Sequence, residues 1–161
     1  VASQAFARLL GGKWNFYEEA LLQDGYAPHE INPPRDLQSW QRQPVSRVLN
    51  LRPVVVTNRS PNALREFMVE HRFKAFPVVA DGRYAGVVRR PAMVEAVRGG
   101  REPAIEAASL CRDDETIQAV ADRMVRESSD VAVCVDEATG AVRGIVTLHD
   151  LFRAQSRAAV G

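Results

Sequence analysis

The sequence of 161 residues predicts an α/β (α+β) fold of two β-α-β-β-α repeats, packed with pseudo-two-fold symmetry and preceded by a linker with a short helix. The main observation is a motif that occurs twice, as F-P-V-V-A-D-G-R-Y-A-G-V-V-R-R-P-A at 76–92 and as V-A-V-C-V-D-E-A-T-G-A-V-R-G-I-V-T-L-H-D at 131–150. Each copy has a β-rich run, an acidic turn with glycine, a second short run and a helix-like segment. The same order of patterns also precedes each copy. We therefore predict a linker or docking segment at 1–43, a first repeat at 44–100 and a second repeat at 101–157.

Residues 1–43 lack the repeated pattern. Apolar residues at helical spacing predict a short helix over 14–22, ended by Asp24-Gly25. The segment A-P-H-E-I-N-P-P-R-D that follows has three prolines and no periodicity, which predicts an extended connector. We expect this part of the chain to pack on the repeats through single anchors and not to form a domain.

In the first repeat, local signals predict four elements. The β-branched run at 53–57 predicts a strand. Ser60-Pro61 predicts a helix start, because a capping hydroxyl is followed by proline at the first helical position. Asp81-Gly82 between two apolar runs predicts a hairpin over 76–88. The last segment is predicted to be a helix that ends at Gly99-Gly100.

The second repeat shows the same order of signals. Residues 104–110 form the opening segment, and an apolar stripe with helical spacing predicts a helix over 117–127. A hairpin is predicted over 131–146, with a longer turn than in the first repeat. Thr147 is the expected N-cap of the closing helix over 148–157.

Composition and charge exclude several classes of function. The chain is 46% hydrophobic and 25% charged, which is typical of a soluble globular protein. A net charge of +1 gives no electrostatic reason to expect nucleic acid as a partner. No apolar stretch reaches the length of a membrane span, and no secretory signal is present. The chain begins with Val1, which we attribute to processing or to excision from a longer protein.

No pattern of catalytic or metal-binding residues is apparent. Cys111 and Cys134 each adjoin an apolar run, which favours buried thiols over a disulfide. Nothing resembles a zinc pair, so we expect a cytosolic chain. His149-Asp150 is similar to the H-D pair of metal phosphohydrolases, but the additional His and Asp ligands lack a suitable context. We therefore predict no enzymatic activity, no catalytic residue and no metal site.

The order of elements, with Phe76-Pro77-Val78-Val79 before an acidic turn and G-I-V-T-L-H-D at 144–150, resembles the CBS domain, named after cystathionine β-synthase. Two such domains in tandem resemble a Bateman module, and the likeness covers residues 44–157. The flanking segments Y-E-E-A-L-L-Q-D-G at 17–25 and R-Q-P-V-S-R-V at 42–48 resemble the cytoplasmic C-terminal tail of bacterial CLC-type chloride channels and chloride/proton antiporters.

This resemblance implies a regulatory domain on the cytoplasmic side of the membrane, joined to a membrane-embedded transport domain of the same chain. It also implies a homodimer formed through the helices at 64–72 and 117–127. Two alternatives remain open. The chain could be the CBS pair of another host, such as a cation transporter or a metabolic enzyme, or it could be a stand-alone adenine-nucleotide sensor.

The resemblance further implies one nucleotide site, with ATP, ADP or AMP as ligand and no required cofactor. In CBS pairs with the full G-h-h-T-x-x-D motif, the Asp binds ribose hydroxyls and the Thr lies near phosphate, and these roles map to Asp150 and Thr147. The residues implied on the side of the base are Val54, Val56, Phe73, Phe76 and Pro77.

The residues themselves are consistent with this site. Thr147 precedes a predicted helix, whose free N–H groups and dipole attract phosphate. In the first copy Arg89 and Ala92 replace Thr147 and Asp150, so we predict at most one competent site per chain. The alternative is that Thr147 only caps the helix and Asp150 only complements its dipole, in which case the pair serves for dimerisation.

Overall fold

A computed structural model of the chain describes residues 37–158, so the helix predicted over 14–22 and the connector after it lie outside the described residues. This part of the chain contains a two-stranded sheet and a three-stranded sheet, together with helices. The mixed α+β fold predicted from the sequence is confirmed. No helix within 37–158 is long and apolar enough to cross a membrane. The elements in chain order are α1 (Leu37–Gln41), a 3-10 turn (Val45–Arg47), α2 (Pro61–Glu70), β1 (Ala75–Ala80), β2 (Arg83–Arg89), α3 (Arg90–Gly99), β3 (Ser109–Cys111), α4 (Ile117–Arg126), β4 (Val131–Val135), β5 (Val142–Thr147) and α5 (Leu148–Ala158).

Strands β1 and β2 form the hairpin predicted around Asp81-Gly82. Both turn residues have positive φ angles, 50° and 75°, as a two-residue hairpin turn of type I′ requires. Ala80 pairs with Arg83 directly across this turn. The register shifts between Val78 and Val79, which marks a bulge in the hairpin.

The strand predicted over 53–57 is reduced to a single parallel bridge between Val56 and Val78. The Val56 N–H donates to the Pro77 carbonyl at 2.8 Å, and the Val79 N–H donates to the Val56 carbonyl at 2.9 Å. This part of the sequence prediction is therefore wrong, although the segment does run beside β1.

Pro77 explains why this ladder stops. To extend it by two residues, the N–H at position 77 would have to donate to the Val54 carbonyl, and proline has no N–H. In the second repeat Val133 takes the place of Pro77, and there β3 pairs with β4 over three residues. The two repeats thus share an arrangement of strands but differ in ladder length because of one residue.

The segment that leads into each repeat pairs with the second hairpin strand of the other repeat. The Asn50 N–H donates to the Ile145 carbonyl at 2.9 Å, and the Ile145 N–H donates back at 3.1 Å. The Val87 N–H donates to the Glu106 carbonyl at 2.9 Å, and the Glu106 N–H donates back at 2.8 Å. Each repeat therefore relies on the other to complete its strand pairing.

Gly86 and Gly144, which open the second run of each copy, lie beside these two bridges. A Cβ atom at Gly86 would lie 2.9 Å from the Glu106 carbonyl oxygen, and a Cβ atom at Gly144 would lie 3.1 Å from the Asn50 carbonyl oxygen. The repeated glycine is explained by the close passage of the other repeat's backbone.

Residues 49–113 and 131–146 form one compact unit. It contains two groups of buried side chains, one on the helix side of the β1-β2 hairpin and one that joins strands of both repeats. The first group contains Val56, Leu64, Phe76, Val78, Val88, Met93 and Ala96. The second contains Val87, Val131 and Val133.

The other compact unit contains, among the described residues, 37–48, 114–130 and 147–158. Its helix α4 buries most of the predicted apolar stripe. The hydroxyl oxygen of Thr116 caps this helix by accepting the Ala119 N–H at 3.2 Å. The buried members of the stripe are Ile117, Val120, Ala121 and Met124.

Candidate functional site

Thr147 and Asp150 form a reciprocal cap at the start of α5. The Asp150 N–H donates to the Thr147 hydroxyl oxygen at 3.2 Å. In return, the Asp150 Oδ2 atom accepts the Thr147 N–H at 2.9 Å and the Thr147 hydroxyl at 2.7 Å. This is the geometry of a capping box, in which two residues one turn apart satisfy each other's backbone donors. The N-cap predicted at Thr147 is confirmed.

This cap uses one of the two oxygens of the Asp150 carboxylate and leaves the other open. Oδ2 accepts two hydrogen bonds from Thr147, which uses both of its lone pairs. Oδ1 accepts no hydrogen bond from the described residues, and Asp150 is only half-buried. A fixed carboxylate with one open oxygen can accept hydrogen bonds from external hydroxyl groups.

The N–H groups at this helix end are less available than the sequence predicts. The Thr147 and Asp150 N–H groups are used in the cap, and the Leu148 N–H donates to the Asp130 carbonyl at 3.0 Å. These three donors therefore do not supply the phosphate contact that free N–H groups would give. The helix dipole and the open Asp150 oxygen are the features of this end that the proposal below uses.

The corresponding helix start in the first repeat has the same backbone contact but different side chains. The Arg90 N–H donates to the Lys74 carbonyl at 2.8 Å, as Leu148 does to Asp130 in the second repeat. Arg89 is the N-cap residue of α3, but its side chain makes no capping hydrogen bond. Its Nε atom instead donates to Glu106 Oε2 at 2.8 Å.

The Arg89–Glu106 ion pair places a cation where the second repeat has the Thr147–Asp150 cap. No sequence pattern identifies Glu106, because it meets Arg89 only through the bridge between Val87 and Glu106. The difference between the two copies, predicted from T-L-H-D against R-R-P-A, is therefore also a difference in charge.

The five residues predicted on the side of the base lie in the other compact unit. Phe73 is 56% exposed, and its ring centroid lies 6.1 Å from that of Phe76 in an edge-to-face arrangement. Phe76, Pro77 and Val56 are buried, whereas Val54 is half-buried against the same core. Of these side chains, only that of Phe73 presents a large exposed surface to a ligand.

Val54 offers a polar group as well. Because Pro77 lacks the N–H that would continue the ladder, the Val54 carbonyl accepts no backbone hydrogen bond within the described residues. A carbonyl without a backbone donor in this position can accept a hydrogen bond from an external amino group.

A small cavity lies elsewhere, between α1, α4 and α5. Its volume is about 30 Å³. It contains none of the predicted site residues. Among the described residues, no group of three or more His, Cys, Asp or Glu side chains could hold a metal ion. The lining of the cavity includes Trp40, Ile117, Ala121, Leu151, Phe152 and Gln155.

A family model for the CBS domain matches residues 45–99 and 109–157. The chain belongs to the CBS domain family. The tandem CBS pair predicted from the sequence is therefore confirmed. No curated protein sequence matches this CBS pair.

Solved structures of CBS domains share the fold. The CBS domain of the bacterial CNNM/CorC family Mg²⁺ transporter is 18% identical and covers 89% of this chain and 92% of its own, with a TM-score of 0.64. The CBS domain of a putative transporter from Clostridium difficile is 18% identical and covers 72% and 95%, with a TM-score of 0.62. The CBS domain pair of protein MJ0100, in complex with 5-methylthioadenosine and S-adenosyl-L-methionine, is 21% identical and covers 70% and 98%, with a TM-score of 0.59.

At these identities the likeness shows the fold of the CBS pair. None of these three structures is described as coming from a chloride channel. The chloride-channel host expected from the flanking segments therefore remains a prediction.

Proposed function

We propose that this CBS pair is a regulatory module that binds one adenosine-containing ligand per chain. The observation that carries the proposal is the Asp150 carboxylate, which the Thr147 cap holds in place while leaving Oδ1 open. In this role Oδ1 accepts the ribose hydroxyls, and Thr147, which lies on the side of the phosphate or of the group that replaces it, fixes the carboxylate. The adenosine-containing ligands of the MJ0100 pair support this choice of chemical class.

We assign recognition of the base to Phe73 and Val54. The exposed ring of Phe73 stacks on the adenine, while the Val54 carbonyl accepts a hydrogen bond from its exocyclic amino group. Phe76, Pro77 and Val56 support these two residues from within the core.

The expected affinity is modest. Stacking contributes roughly 1–3 kcal/mol per base, and each hydrogen bond to a charged group adds about 1.5–3 kcal/mol. After the cost of association, a dissociation constant between micromolar and millimolar follows. This range suits a sensor of an abundant metabolite.

Calorimetric titration with AMP, ADP, ATP, S-adenosyl-L-methionine and 5-methylthioadenosine tests the role of Asp150. Asp150→Asn is the informative variant, because the amide oxygen can still accept hydrogen bonds from Thr147 while the charge is lost. We expect its affinity to fall by about 10-fold or more. Thr116→Ala, which removes the cap of α4, is the matched control and should bind like the wild type. Equal heats and affinities for Asp150→Asn and the wild type would end the proposal.

Pro77→Ala tests the role of the Val54 carbonyl. The new N–H can donate to this carbonyl and thereby competes with the amino group of adenine. We expect the wild type to prefer AMP to IMP, which carries an oxygen in place of that amino group, and the variant to lose this preference. An AMP-to-IMP affinity ratio that is the same in both proteins would contradict the assignment of Val54.

We further propose that the host is a membrane transporter, with this pair on the cytoplasmic side and paired as a homodimer through α2 and α4. The CNNM/CorC Mg²⁺ transporter supports a cation transporter as host, and the putative transporter from Clostridium difficile supports a transporter host in general. A chloride channel or antiporter is the second candidate, favoured by the segments at 17–25 and 42–48.

The coding sequence upstream of Val1 distinguishes these hosts. A membrane domain of the cation-transporter or the chloride-channel class would identify the host, whereas a start codon close to Val1 would indicate a stand-alone sensor. Analytical ultracentrifugation tests the homodimer, and a monomer at high protein concentration would argue against it.

A further inference from the structure

Cys111 and Cys134 lie side by side in the three-stranded sheet. They are register partners on the parallel strands β3 and β4, and they are 4% and 2% exposed. Register partners point to the same face of a sheet, and neighbouring strands lie about 4.8 Å apart. A disulfide requires a separation between Cα atoms of about 4.4–6.8 Å. The two thiols form no disulfide here. The strand spacing lies within the Cα range of a disulfide, and closing the bond also requires the two Cβ atoms to approach to about 3.5–4.5 Å.

The strand that carries Cys111 offers a route for a reagent. In the order β3-β4-β5, β3 is the edge strand, and it has only three residues. Its middle residue, Leu110, is 46% exposed. A short strand at the edge of a sheet opens locally at a lower free-energy cost than the central strands. When β3 opens, Cys111 becomes accessible before Cys134, which lies on the central strand.

We propose that Cys111 and Cys134 are a modification site that low-molecular-weight disulfides oxidise to an intramolecular disulfide. In the first step the Cys111 thiolate attacks one sulfur of the small disulfide, which forms a mixed disulfide and releases one small thiolate. In the second step the Cys134 thiolate attacks the Cys111 sulfur, which forms the protein disulfide and releases the second small thiolate. Two electrons pass to the small disulfide, and the two thiol protons pass through solvent to the released thiolates.

The new bond would close the loop that carries α4 and hold β3 against β4. It involves neither Thr147 nor Asp150. Its expected physical effect is slower local opening of the edge strand, because β3 can then no longer separate from the sheet.

The test is incubation of the full chain with oxidised glutathione under native conditions. Remaining thiols are then alkylated in denaturant, and the intact mass is measured. We expect a monomer that lacks two hydrogens and takes up no alkylating reagent, and we expect dithiothreitol to reverse both changes. Amide hydrogen exchange in β3 should be slower in the oxidised protein than in the reduced protein.

The double variant S109C/C111A is the matched control. It moves the thiol on β3 from position 111 to position 109, whose register partner on β4 is Ala132 and not Cys134. The reaction should therefore stop at the mixed disulfide. In Cys111→Ala, Cys134 should stay reduced under the same conditions.

Three outcomes would overturn the proposal. The first is thiols in the native wild type that react only after urea is added. The second is an end product that consists of glutathione adducts or disulfide-linked dimers. The third is a control variant that closes its disulfide as readily as the wild type.

Discussion

At Asp150 the two oxygens of one carboxylate have different environments. Oδ2 is held by the N–H and hydroxyl groups of Thr147, while Oδ1 remains open among the described residues. The cap and the proposed binding function therefore do not compete, although the sequence presents them as alternatives. A side chain that is fixed by its own helix start loses little conformational entropy on binding.

The Thr147 hydroxyl should stabilise the second repeat by a measurable amount. Thr147→Ala removes the hydrogen bond to Asp150 Oδ2 and the acceptor for the Asp150 N–H. We expect the free energy of unfolding, measured by urea denaturation, to fall by about 0.5–2 kcal/mol. Thr147→Ser keeps the hydroxyl and should lose much less. A serine variant as unstable as the alanine variant would show that packing of the methyl group, and not the cap, is responsible.

Asp136, in the turn between β4 and β5, should have a pH-dependent effect on stability. Hydrogen bonds from the backbone and hydroxyl of Thr139 hold the pKa of Asp136 below its ordinary value of 3.8. Because the pKa is lower in the folded state, the ionised carboxylate stabilises the turn above pH 3.8, and this stability is lost as the pH falls through the folded pKa. An NMR titration should show a higher pKa for Asp136 in Thr139→Ala than in the wild type. An unchanged value would exclude Thr139 as the cause.

At the scale of the elements, the features that can be predicted from the sequence are those that depend on residues close together in the chain. The caps at Ser60 and Thr147 are confirmed, since each depends only on residues that follow closely in the chain. The strand at 53–57 is not, because its length depends on a donor that Pro77 lacks in another strand. The Arg89–Glu106 pair could not be predicted either. Its two residues come together only when the segment that leads into the second repeat pairs with the second hairpin strand of the first repeat.

The two repeated glycines should differ in how well they tolerate a side chain. A Cβ atom at Gly86 would meet Ile105 Cγ2 and would lie 2.9 Å from the Glu106 carbonyl oxygen, and the φ angle of Gly86 is +146°. A Cβ atom at Gly144 would lie 3.1 Å from the Asn50 carbonyl oxygen, and its φ angle is not in the left-handed region. We expect Gly86→Ala to cost about 2–4 kcal/mol, from backbone strain and overpacking together.

Gly144→Ala is the matched comparison and should cost less, because only a small shift of the Asn50 segment is needed to admit the methyl group. Thermal and urea unfolding of both variants show which of the two is less stable. A Gly144→Ala protein less stable than Gly86→Ala would contradict the explanation based on φ and backbone approach.

At the scale of the whole molecule, the compact units do not follow the sequence repeats. The unit formed by 49–113 and 131–146 contains both bridges, Asn50–Ile145 and Val87–Glu106, and so combines parts of both repeats. The domain boundary predicted between residues 100 and 101 remains a prediction about sequence units. The duplicated motif indicates which segments are alike, but it does not indicate which of them pair.

Because of the two bridges, each half of the chain supplies a strand partner for the other half. A fragment of residues 44–100 contains Asn50 without Ile145, and a fragment of residues 101–157 contains Glu106 without Val87. We expect neither fragment to unfold cooperatively by itself, and we expect their mixture to recover a cooperative transition by complementation in trans. A single repeat by itself would meet the same requirement only by pairing with a second copy of itself.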